Sequence, residues 1–414
     1  MTELTVTIDH VGALGDGVAE SPGGRLHIPF TAPGDRVRVA MAGKGKAQLV
    51  EILEAGPARV APACSHFGRC GGCAMQHLSA DFIADWKRQR VVDALARERL
   101  DDVPVDRTIT VAAGTRRRAT LAATRVGKRV LLGFAERASH RLVDLTECPV
   151  MLPELVALIP ALRSLLPTLL NPGEEADFAL TSSDTGADCV VIRARPLSLA
   201  DREALAAFAE QNGLARIAWR AAPAKPAEPV AARNAPTVRL GDRTVPLSAG
   251  TFLQPSVEGQ VKLTELVLRE LGAGPGAVAD LFCGLGTFAL PLATGAAVTA
   301  YDSDEAGIAT LSAAARGLRL KAAQRDLYRE PVTVRELVDF RAAVMDPPRA
   351  GAEAQARALA DSGVETIVYV SCNPVSFARD AAILAAGGYE LEQVTPVDQF
   401  QWSPHTELVG TFRR

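Results

Sequence analysis

The sequence lacks the features that direct a chain into or across a membrane. No run of about 18 consecutive apolar residues, enough to span a bilayer, occurs in the 414 residues. The start of the chain has no basic region followed by an apolar stretch, so we recognise no secretion signal. We therefore expect no membrane association and a cytoplasmic location. With 48% hydrophobic and 22% charged residues the chain can bury apolar cores, and its length favours two or three domains.

Cysteine is also scarce, because seven residues in a chain of this length are too few for a disulfide scaffold. Three are clustered with the spacing Cys-x5-Cys-x2-Cys: Cys64, Cys70 and Cys73. The other four are scattered: Cys148, Cys189, Cys283 and Cys372. In a reducing compartment such clustering indicates a metal site, and Cys148 is the candidate for a fourth ligand. Four thiolates can hold either a 4Fe–4S cluster or zinc, and the spacing alone does not decide between them.

A large excess of positive charge is absent, since the formal net charge is −3, which argues mildly against nucleic acid as a partner. A local excess exists nevertheless. Between Arg107 and Arg141 nine cations accompany a single anion, Glu136, so this segment carries a charge of +8. The segment is either a solvated sheet face or a surface that binds phosphates.

The amino-terminal half is predicted to contain two domains. In residues 1–56 apolar residues recur at every second position and glycines separate the short segments, which predicts a small β-barrel. A helix is predicted over residues 80–100, and it could pack on the domain that ends the chain. The basic segment reads as strands and is followed by a leucine-rich helix. We expect these elements to form a central α+β domain over residues 57–236.

The carboxyl-terminal half has the pattern of an α/β fold. Residues 221–236 are rich in proline and alanine, which is typical of a linker, and we place a domain boundary there. From residue 237 to 414, apolar runs are separated by helical stretches. The runs that we predict to be strands are 277–282, 297–301, 342–345 and 366–370. This alternation predicts a doubly wound sheet.

Glycine and acidic residues follow the first strands of this sheet, where open α/β folds bind their ligands. Gly284 and Gly286, in a loop after Asp280, allow a ligand to approach the backbone. Asp302 is placed to accept hydrogen bonds from a ribose diol, and Asp326 could meet an adenine amino group. These acidic strand ends suggest a cofactor that contains adenosine but no phosphates. Each aspartate, taken singly, could instead be a helix N-cap.

Two later strand ends carry the segments Asp346-Pro347-Pro348-Arg349 and Ser371-Cys372-Asn373-Pro374. The proline pair fixes the chain and would hold Asp346 towards the cleft, although a structural turn is the alternative. Arg349 stands where adenine amino-methylases have an aromatic residue, which disfavours amino methylation. Cys372 precedes a predicted helix, whose dipole would favour a thiolate. The alternative for Cys372 is a buried, inert thiol.

A thiolate at this place would suit the methylation of a uracil carbon. C5 of uracil is not electron-rich enough to attack a sulfonium methyl group, but addition of a thiolate at C6 makes C5 nucleophilic. A base must then remove the C5 proton so that the thiolate can leave. The late segment His405-Thr406-Glu407 supplies two candidate bases, and we favour Glu407.

Taken together, these motifs resemble the RNA uracil-5 methyltransferases. The resemblance runs in order over nearly the whole chain and rests on these segments: Cys64–Cys73, Gln254, Asp280–Phe288, Asp346–Arg349, Ser371–Pro374 and His405–Glu407. It is closest to the branch that acts on 23S ribosomal RNA and carries a TRAM domain and an iron–sulfur cluster. A transfer-RNA uracil methyltransferase, which typically lacks both, and a non-enzymatic iron–sulfur RNA-binding protein are the alternatives.

The resemblance implies a TRAM-like barrel at 1–56, an iron–sulfur and RNA-binding domain at 57–236, and a class I S-adenosylmethionine methyltransferase domain at 237–414. It implies Cys372 as nucleophile and Glu407 as base. The cofactor residues that it implies are Gln254, Phe282, Gly284, Gly286, Thr287, Asp302, Asp326 and Asp346. It implies a 4Fe–4S cluster whose ligands are Cys64, Cys70, Cys73 and Cys148. The chain departs from the family's common residues at Pro255, Ser256 and Thr287.

The resemblance also defines the expected partner. A stacked or paired uracil cannot expose C6 to a thiolate, so the target base must leave the RNA stack and enter the pocket. The segment from Arg107 to Arg141 and the barrel are the candidates for holding the RNA. We expect a monomer with no obligate protein partner.

Overall fold

The amino-terminal strands form two small sheets around one apolar core. The computed structural model describes residues 3–43, 45–274 and 276–414. The strands of this part are Glu3–Thr7 (β1), His10–Val11 (β2), Gly17–Ala19 (β3), Leu26–Ile28 (β4), Arg36–Met41 (β5) and Ala47–Glu54 (β6). They pair in the orders β1-β5-β6 and β2-β3-β4, and both sheets contribute to the core. In the described residues the predicted barrel is therefore two sheets. The two sheets are joined by the isolated bridge between His27 of β4 and Lys46, the residue before β6.

The central part of the chain is a seven-stranded sheet covered by helices. A helix and a short strand precede it: Ala80–Arg97 (α1) and Ile109–Thr110 (β7). Its elements are Arg118–Val126 (β8), Arg129–Ala135 (β9), Leu142–Asp144 (β10), Pro153–Leu169 (α2), Glu175–Ser183 (β11), Gly186–Ile192 (β12), Leu199–Gln211 (α3), Arg216–Arg220 (β13) and Glu228–Ala232 (β14). The strand order is β10-β9-β8-β11-β12-β13-β14, and α2 and α3 share its apolar core.

The proline-rich segment 221–236 is not a free linker, contrary to our prediction. Its residues Glu228–Ala232 form β14, which pairs with β13 at the edge of the central sheet. Pro229 fits there because an edge strand has one side on which no backbone donor is needed. Val238, directly after the segment, already belongs to the core of the next sheet. The apolar cores therefore change close to residue 237.

The carboxyl-terminal part is built on an eight-stranded mixed sheet. Besides β7, its strands are Ala277–Leu281 (β17), Ala297–Asp302 (β18), Leu320–Gln324 (β19), Ala342–Met345 (β20), Thr366–Ser371 (β21), Glu390–Asp398 (β22) and Glu407–Arg413 (β23). The strands Thr237–Leu240 (β15) and Arg243–Pro246 (β16) precede them and form a separate two-stranded sheet. The helices of this part are Val257–Leu271 (α4), Ala289–Leu292 (α5), Glu305–Ala314 (α6), Val334–Leu337 (α7), Glu353–Ala360 (α8) and Pro374–Ala386 (α9). In the described ranges no helix is long and apolar enough to cross a membrane.

The strand order of this sheet, β19-β18-β17-β20-β21-β23-β22-β7, creates a crevice for a ligand. The first five strands are parallel, whereas β23 runs antiparallel to β21 and β22. Val278 and Ala279 of β17 belong to different apolar cores, one on each face of the sheet. The predicted doubly wound sheet is therefore confirmed. The order reverses between β17 and β20, which is where such folds bind ligands.

Helix α1 packs on this eight-stranded sheet and β7 is one of its strands, although both precede the central sheet in the sequence. The side chain of Ser79 caps α1, and Val91 packs in the same core as Phe377 of α9. Strand β7 pairs in parallel with β22. Lys87 of α1 is fully buried, and its Nζ lies 2.5 Å from Oδ1 of Asp398. Because Asp398 ends β22, this ion pair fixes α1 to the loop that follows that strand.

We predict that Lys87→Met destabilises the protein by about 3 to 5 kcal/mol, because it leaves the buried Asp398 carboxylate without a cation. The midpoint of urea unfolding measures the effect. A Lys87→Met, Asp398→Leu double variant, which removes both charges, should recover much of the loss. A double variant as unstable as the single one would contradict an unpaired charge as the cause.

Candidate active site

A cavity of about 460 Å³ opens at the carboxyl ends of the parallel strands. Nine of the ten residues predicted for the catalytic and cofactor site line it: Gln254, Phe282, Gly284, Thr287, Asp302, Asp326, Asp346, Cys372 and Glu407. The tenth, Gly286, does not. It adopts a φ of 88°, and a side chain there would clash with Leu311 of α6. Gly286 therefore allows the loop to pack on α6 and does not line the cavity.

The loop after β17 is held by the acidic end of β18. Phe282 has a φ of 66°, a backbone conformation that is strained for a residue with a side chain. The backbone N–H of Gly284 donates to Oδ2 of Asp302 at 2.9 Å. The helix N-cap, which we considered as an alternative role for Asp302, is supplied by Asp304. Asp302 thus stands at the rim of the cavity and fixes the shape of the glycine loop.

Two aromatic rings form one wall of the cavity. The ring centroids of Phe282 and Tyr328 are 5.5 Å apart. The Tyr328 hydroxyl donates to the carbonyl of Gly351, and its backbone N–H donates to Asp326 Oδ1, both at 3.0 Å. An aromatic wall beside a carboxylate suits a purine ring with an amino group. Tyr328 was not among the predicted site residues, although it follows Asp326 by two positions.

Two carboxyl groups in the cavity are linked by amide side chains. Glu407 is 5% exposed, and burial raises its pKa to about 7 in spite of a hydrogen bond from Gln399. Burial and the nearby Glu407 raise the pKa of Asp346 well above its usual value. Gln254 Nε2 donates to Asp346 Oδ2 at 3.1 Å. Gln399 Nε2 donates to Gln254 Oε1 at 2.9 Å and to Glu407 Oε1 at 3.2 Å.

Cys372 stands at the end of β21, directly before helix α9 as predicted. Asn373 caps α9, and its Nδ2 donates to the carbonyl of Arg349 at 3.0 Å, which joins the two strand-end loops. Burial, followed by Glu407 and Asp346, raises the pKa of Cys372 to about 11. Desolvation and two neighbouring carboxyls thus act against the thiolate that the helix dipole favours.

Known proteins resemble this chain over nearly its full length. A family model described as tRNA (uracil-5-)-methyltransferase matches residues 304–413. A protein of Brucella melitensis named as an uncharacterized RNA methyltransferase is 43% identical over 99% of this chain and 97% of its own length. The 23S rRNA (uracil(1939)-C(5))-methyltransferase RlmD of Halomonas elongata is 37% identical over 95% of this chain and 86% of its own length. This chain belongs to the RNA uracil-5 methyltransferase family.

Membership of this family makes the protein an enzyme that methylates uracil in RNA with S-adenosylmethionine. A solved structure supports the fold of the methyltransferase. The tRNA (uracil-54, C5)-methyltransferase of Pyrococcus abyssi, in complex with S-adenosyl-L-homocysteine, has a TM-score of 0.78 at 24% identity and covers 99% of both chains. The doubly wound sheet is thus the methyltransferase fold.

Part of the basic segment of the methyltransferase points inward. Arg117 is 3% exposed, and it donates to the carbonyl of Gln254 at 2.9 Å and to Gln260 Oε1 at 2.7 Å. Arg118 donates to the carbonyl of Leu253 at 3.2 Å. These two arginines hold the loop that carries Gln254, so these hydrogen bonds are made within the protein. The exposed cations of the segment are Arg107, Lys128, Arg129 and Arg141.

The four cysteines predicted as metal ligands face a second cavity, of about 410 Å³. Cys64, Cys70, Cys73 and Cys148 all line it. Burial, with smaller effects of the other cysteines, raises the pKa of Cys73 to about 12, and Arg116 also lines the cavity. Among the described residues, no group of three or more histidine, cysteine, aspartate or glutamate side chains is arranged so that it could hold a metal ion.

The segment 399–406, which we call the strap, runs between the two cavities. Phe400, Gln401 and His405 are among its residues that line the cysteine cavity. The backbone N–H groups of Ala74 and Met75, next to Cys73, donate to the carbonyl of Trp402 at 2.9 and 3.0 Å. Gln399, the first residue of the strap, donates a hydrogen bond to Glu407, which directly follows the strap and lines the first cavity, which we call the cofactor cavity. His405, the second candidate base, does not line the cofactor cavity, which favours Glu407.

Proposed function

We propose that this methyltransferase modifies C5 of a uridine in 23S ribosomal RNA, with Cys372 as nucleophile and Glu407 as base. The observation that carries the mechanism is that this thiol and this carboxyl line one cavity with the acidic strand ends. The relative at 37% identity, which is named for a uracil of 23S rRNA, supports the choice of RNA. That relative aligns with 95% of this chain, including the amino-terminal half.

The cofactor pocket suits a ligand with positive charge. Bound S-adenosylmethionine supplies a sulfonium-bound methyl group that a carbon nucleophile can take. Asp346 and Glu407 are acidic groups in a desolvated site, and a nearby cation would favour their ionised forms. We assign Asp302 to the ribose and Asp326, with the ring of Tyr328, to the adenine. The remaining proposed contacts are Gln254, Phe282, Gly284 and Thr287.

The thiol and the carboxyl divide the reaction between them. The Cys372 thiol loses its proton, and its sulfur adds to C6 of the uracil, which leaves a nucleophilic C5. C5 forms a bond to the methyl carbon while the methyl–sulfur bond breaks. Glu407 then takes the proton from C5, the C5–C6 double bond re-forms, and the bond between Cys372 and C6 breaks. The thiolate regains a proton, so the net reaction releases one proton.

We propose that the four-cysteine cavity holds a 4Fe–4S cluster with a structural or RNA-positioning task. Four thiols line the same cavity as the guanidinium groups of Arg116 and Arg137 and the carboxyl of Glu147, and the two cations suit a cluster that carries net negative charge with its thiolates. The resemblance to the iron–sulfur branch of the family favours a cluster over a zinc ion, which four thiolates could also hold. Methyl transfer involves no step at this site.

We further propose three functional parts: a TRAM-like domain at 1–56, an iron–sulfur and RNA-binding domain at 57–236, and the catalytic domain at 237–414. The exposed cations of the basic segment supply contacts to phosphates. Moving a uracil out of the RNA stack costs about a few kcal/mol of stacking free energy, and contacts to phosphates can offset that cost.

The substrate is tested by mapping 5-methyluridine in ribosomal and transfer RNA from cells that lack the gene. We expect one 5-methyluridine to disappear from 23S rRNA and to return when the wild-type gene is restored. The Cys372→Ala gene should not restore it, because the variant has no nucleophile. Loss of the nucleotide from transfer RNA alone would assign the enzyme to that substrate instead.

The role of Glu407 is tested with Glu407→Gln. Addition and methylation precede proton removal, so this variant should accumulate a methylated covalent RNA adduct that survives denaturing electrophoresis. Adding Cys372→Ala to the same chain should abolish the adduct. A Glu407→Gln enzyme that turns over at the wild-type rate would show that another group is the base.

The cluster is tested by iron and sulfide analysis of protein purified without oxygen. We expect about four irons per chain and visible absorption, both lost in Cys148→Ala. The matched control is Cys189→Ala, because Cys189 is buried in the core of the central sheet. A protein that binds zinc in place of iron under these conditions would contradict the proposal.

A further inference from the structure

We propose that Gln399 is a positioning residue for the base: it keeps the Glu407 carboxyl oriented and available to accept the C5 proton. The proposal rests on the proposed function, because it assumes that Glu407 acts as the base. Gln399 was not found in the sequence analysis, and no contact of its side chain with a substrate is implied.

The hydrogen bonds around Gln399 determine which way its amide points. When Asp346 is ionised, as it is beside a bound cation, its Oδ2 can only accept, and Gln254 turns its Nε2 towards it at 3.1 Å. This leaves Gln254 Oε1 facing Gln399, and only the amide nitrogen of Gln399 can donate to it. The same nitrogen lies 3.2 Å from Glu407 Oε1. The orientation of Gln399 is thus fixed by a chain of donors that begins at Asp346.

The scaffold leaves space for this side chain at a glycine. A Cβ atom at Gly259 of α4 would clash with Gln399 Oε1, would lie 2.9 Å from its Cβ, and would lie 2.8 Å from Oγ of Ser256, the cap of α4. Gln399 Oε1 is buried and has no hydrogen-bond partner among the described residues, an arrangement that is unfavourable by itself. In this arrangement the Oε1 hydrogen bond is missing while the amide nitrogen donates to two oxygens, those of Gln254 and Glu407. A side chain that served only packing would not require a buried, half-satisfied amide.

Gln399 has no substitute in its surroundings. Within the described ranges it is the one side chain that donates a hydrogen bond to the Glu407 carboxyl. The other charged or titratable groups of the elements around Glu407 are Asp346, Arg349, Cys372, His405 and the ion pair of Lys87 with Asp398. Burial favours the protonated form of Glu407, and the hydrogen bond from Gln399 opposes it, so that the pKa lies at about 7.

The direction of the expected effect follows from this balance. A donor to a carboxylate stabilises the ionised form, so removal of Gln399 raises the pKa of Glu407. The protonated carboxyl cannot take the C5 proton. Release of the covalent RNA adduct should therefore slow near neutral pH and recover at higher pH. A loss of the hydrogen bond to a charged group corresponds to about one pH unit or more.

The test measures the rate of adduct release against pH in the full-length protein. The acid limb is the part of this profile in which the rate falls as the pH is lowered. For Gln399→Met, an apolar side chain of similar size, we expect the acid limb to move to higher pH by about one pH unit, with the wild-type rate restored at high pH. Gly259→Ala should shift the limb in the same direction, because it displaces Gln399 without changing its chemistry. A limb unchanged in both variants, or a rate lowered equally at every pH, would overturn the proposal.

A matched control uses the same type of hydrogen bond elsewhere. Gln393 Nε2 donates to Glu270 Oε1 at 2.9 Å, on the same strand as Asp398 but away from the cavity. Gln393→Met should leave the pH profile unchanged. If Glu407→Gln forms no adduct, the proposed function itself fails. If it forms the adduct while Gln399→Met keeps the wild-type profile, only the inference about Gln399 fails.

Discussion

The cleft of this methyltransferase places acidic groups where water is excluded. Burial raises the pKa of Glu407 to about 7, that of Cys372 to about 11 and that of Asp346 well above its usual value. Ionised, these groups would repel one another, so burial and mutual repulsion both favour their neutral forms. A cation close to them would favour the ionised forms instead. The charge of a ligand in this cleft and the protonation of its acidic groups are therefore linked.

The same exclusion of water shapes the scaffold around the cleft. Lys87 and Arg117 are cations with almost no exposure, and each is satisfied by acceptors on a segment that carries a site residue. Lys87 secures the start of the strap, and Arg117 secures the loop of Gln254. Buried charges of this kind fix geometry more firmly than apolar contacts do, because moving one of them strands a charge. The site is thus held in part by charged groups that are buried in the protein.

The sequence was sufficient to predict the strand ends but not the side chains that support them. Asp302, Asp346 and Cys372 could be placed because each follows an apolar run, and parallel strands bring their carboxyl ends to one edge. Gln399 and Tyr328 lie on irregular segments, where periodicity gives no signal. Gly286 was assigned to the ligand because a glycine required for packing looks the same in a sequence as one required for binding.

Contacts between residues far apart in the sequence could not be predicted from local sequence patterns either. The arginines of the basic segment looked available to RNA, and nothing in their neighbours along the chain indicated that Arg117 meets residues 137 and 143 positions away. The division into strands at the amino terminus could be predicted, whereas their separation into two sheets could not, since it depends on which edges pair. Periodicity shows which residues are buried and leaves open what they are buried against.

The position of helix α1 has a consequence for how the chain is made. Lys87 of this helix cannot form its ion pair until Asp398 has been synthesised, 311 residues later. At about 5 to 20 residues per second, the interval on the ribosome is about 15 to 60 s. The core that buries Val91 and Leu95 also contains residues as late as Phe412, so the apolar face of α1 lacks part of its native cover throughout this time. The catalytic sheet therefore depends on a helix that is made long before its last strands and that chaperones can bind in the meantime.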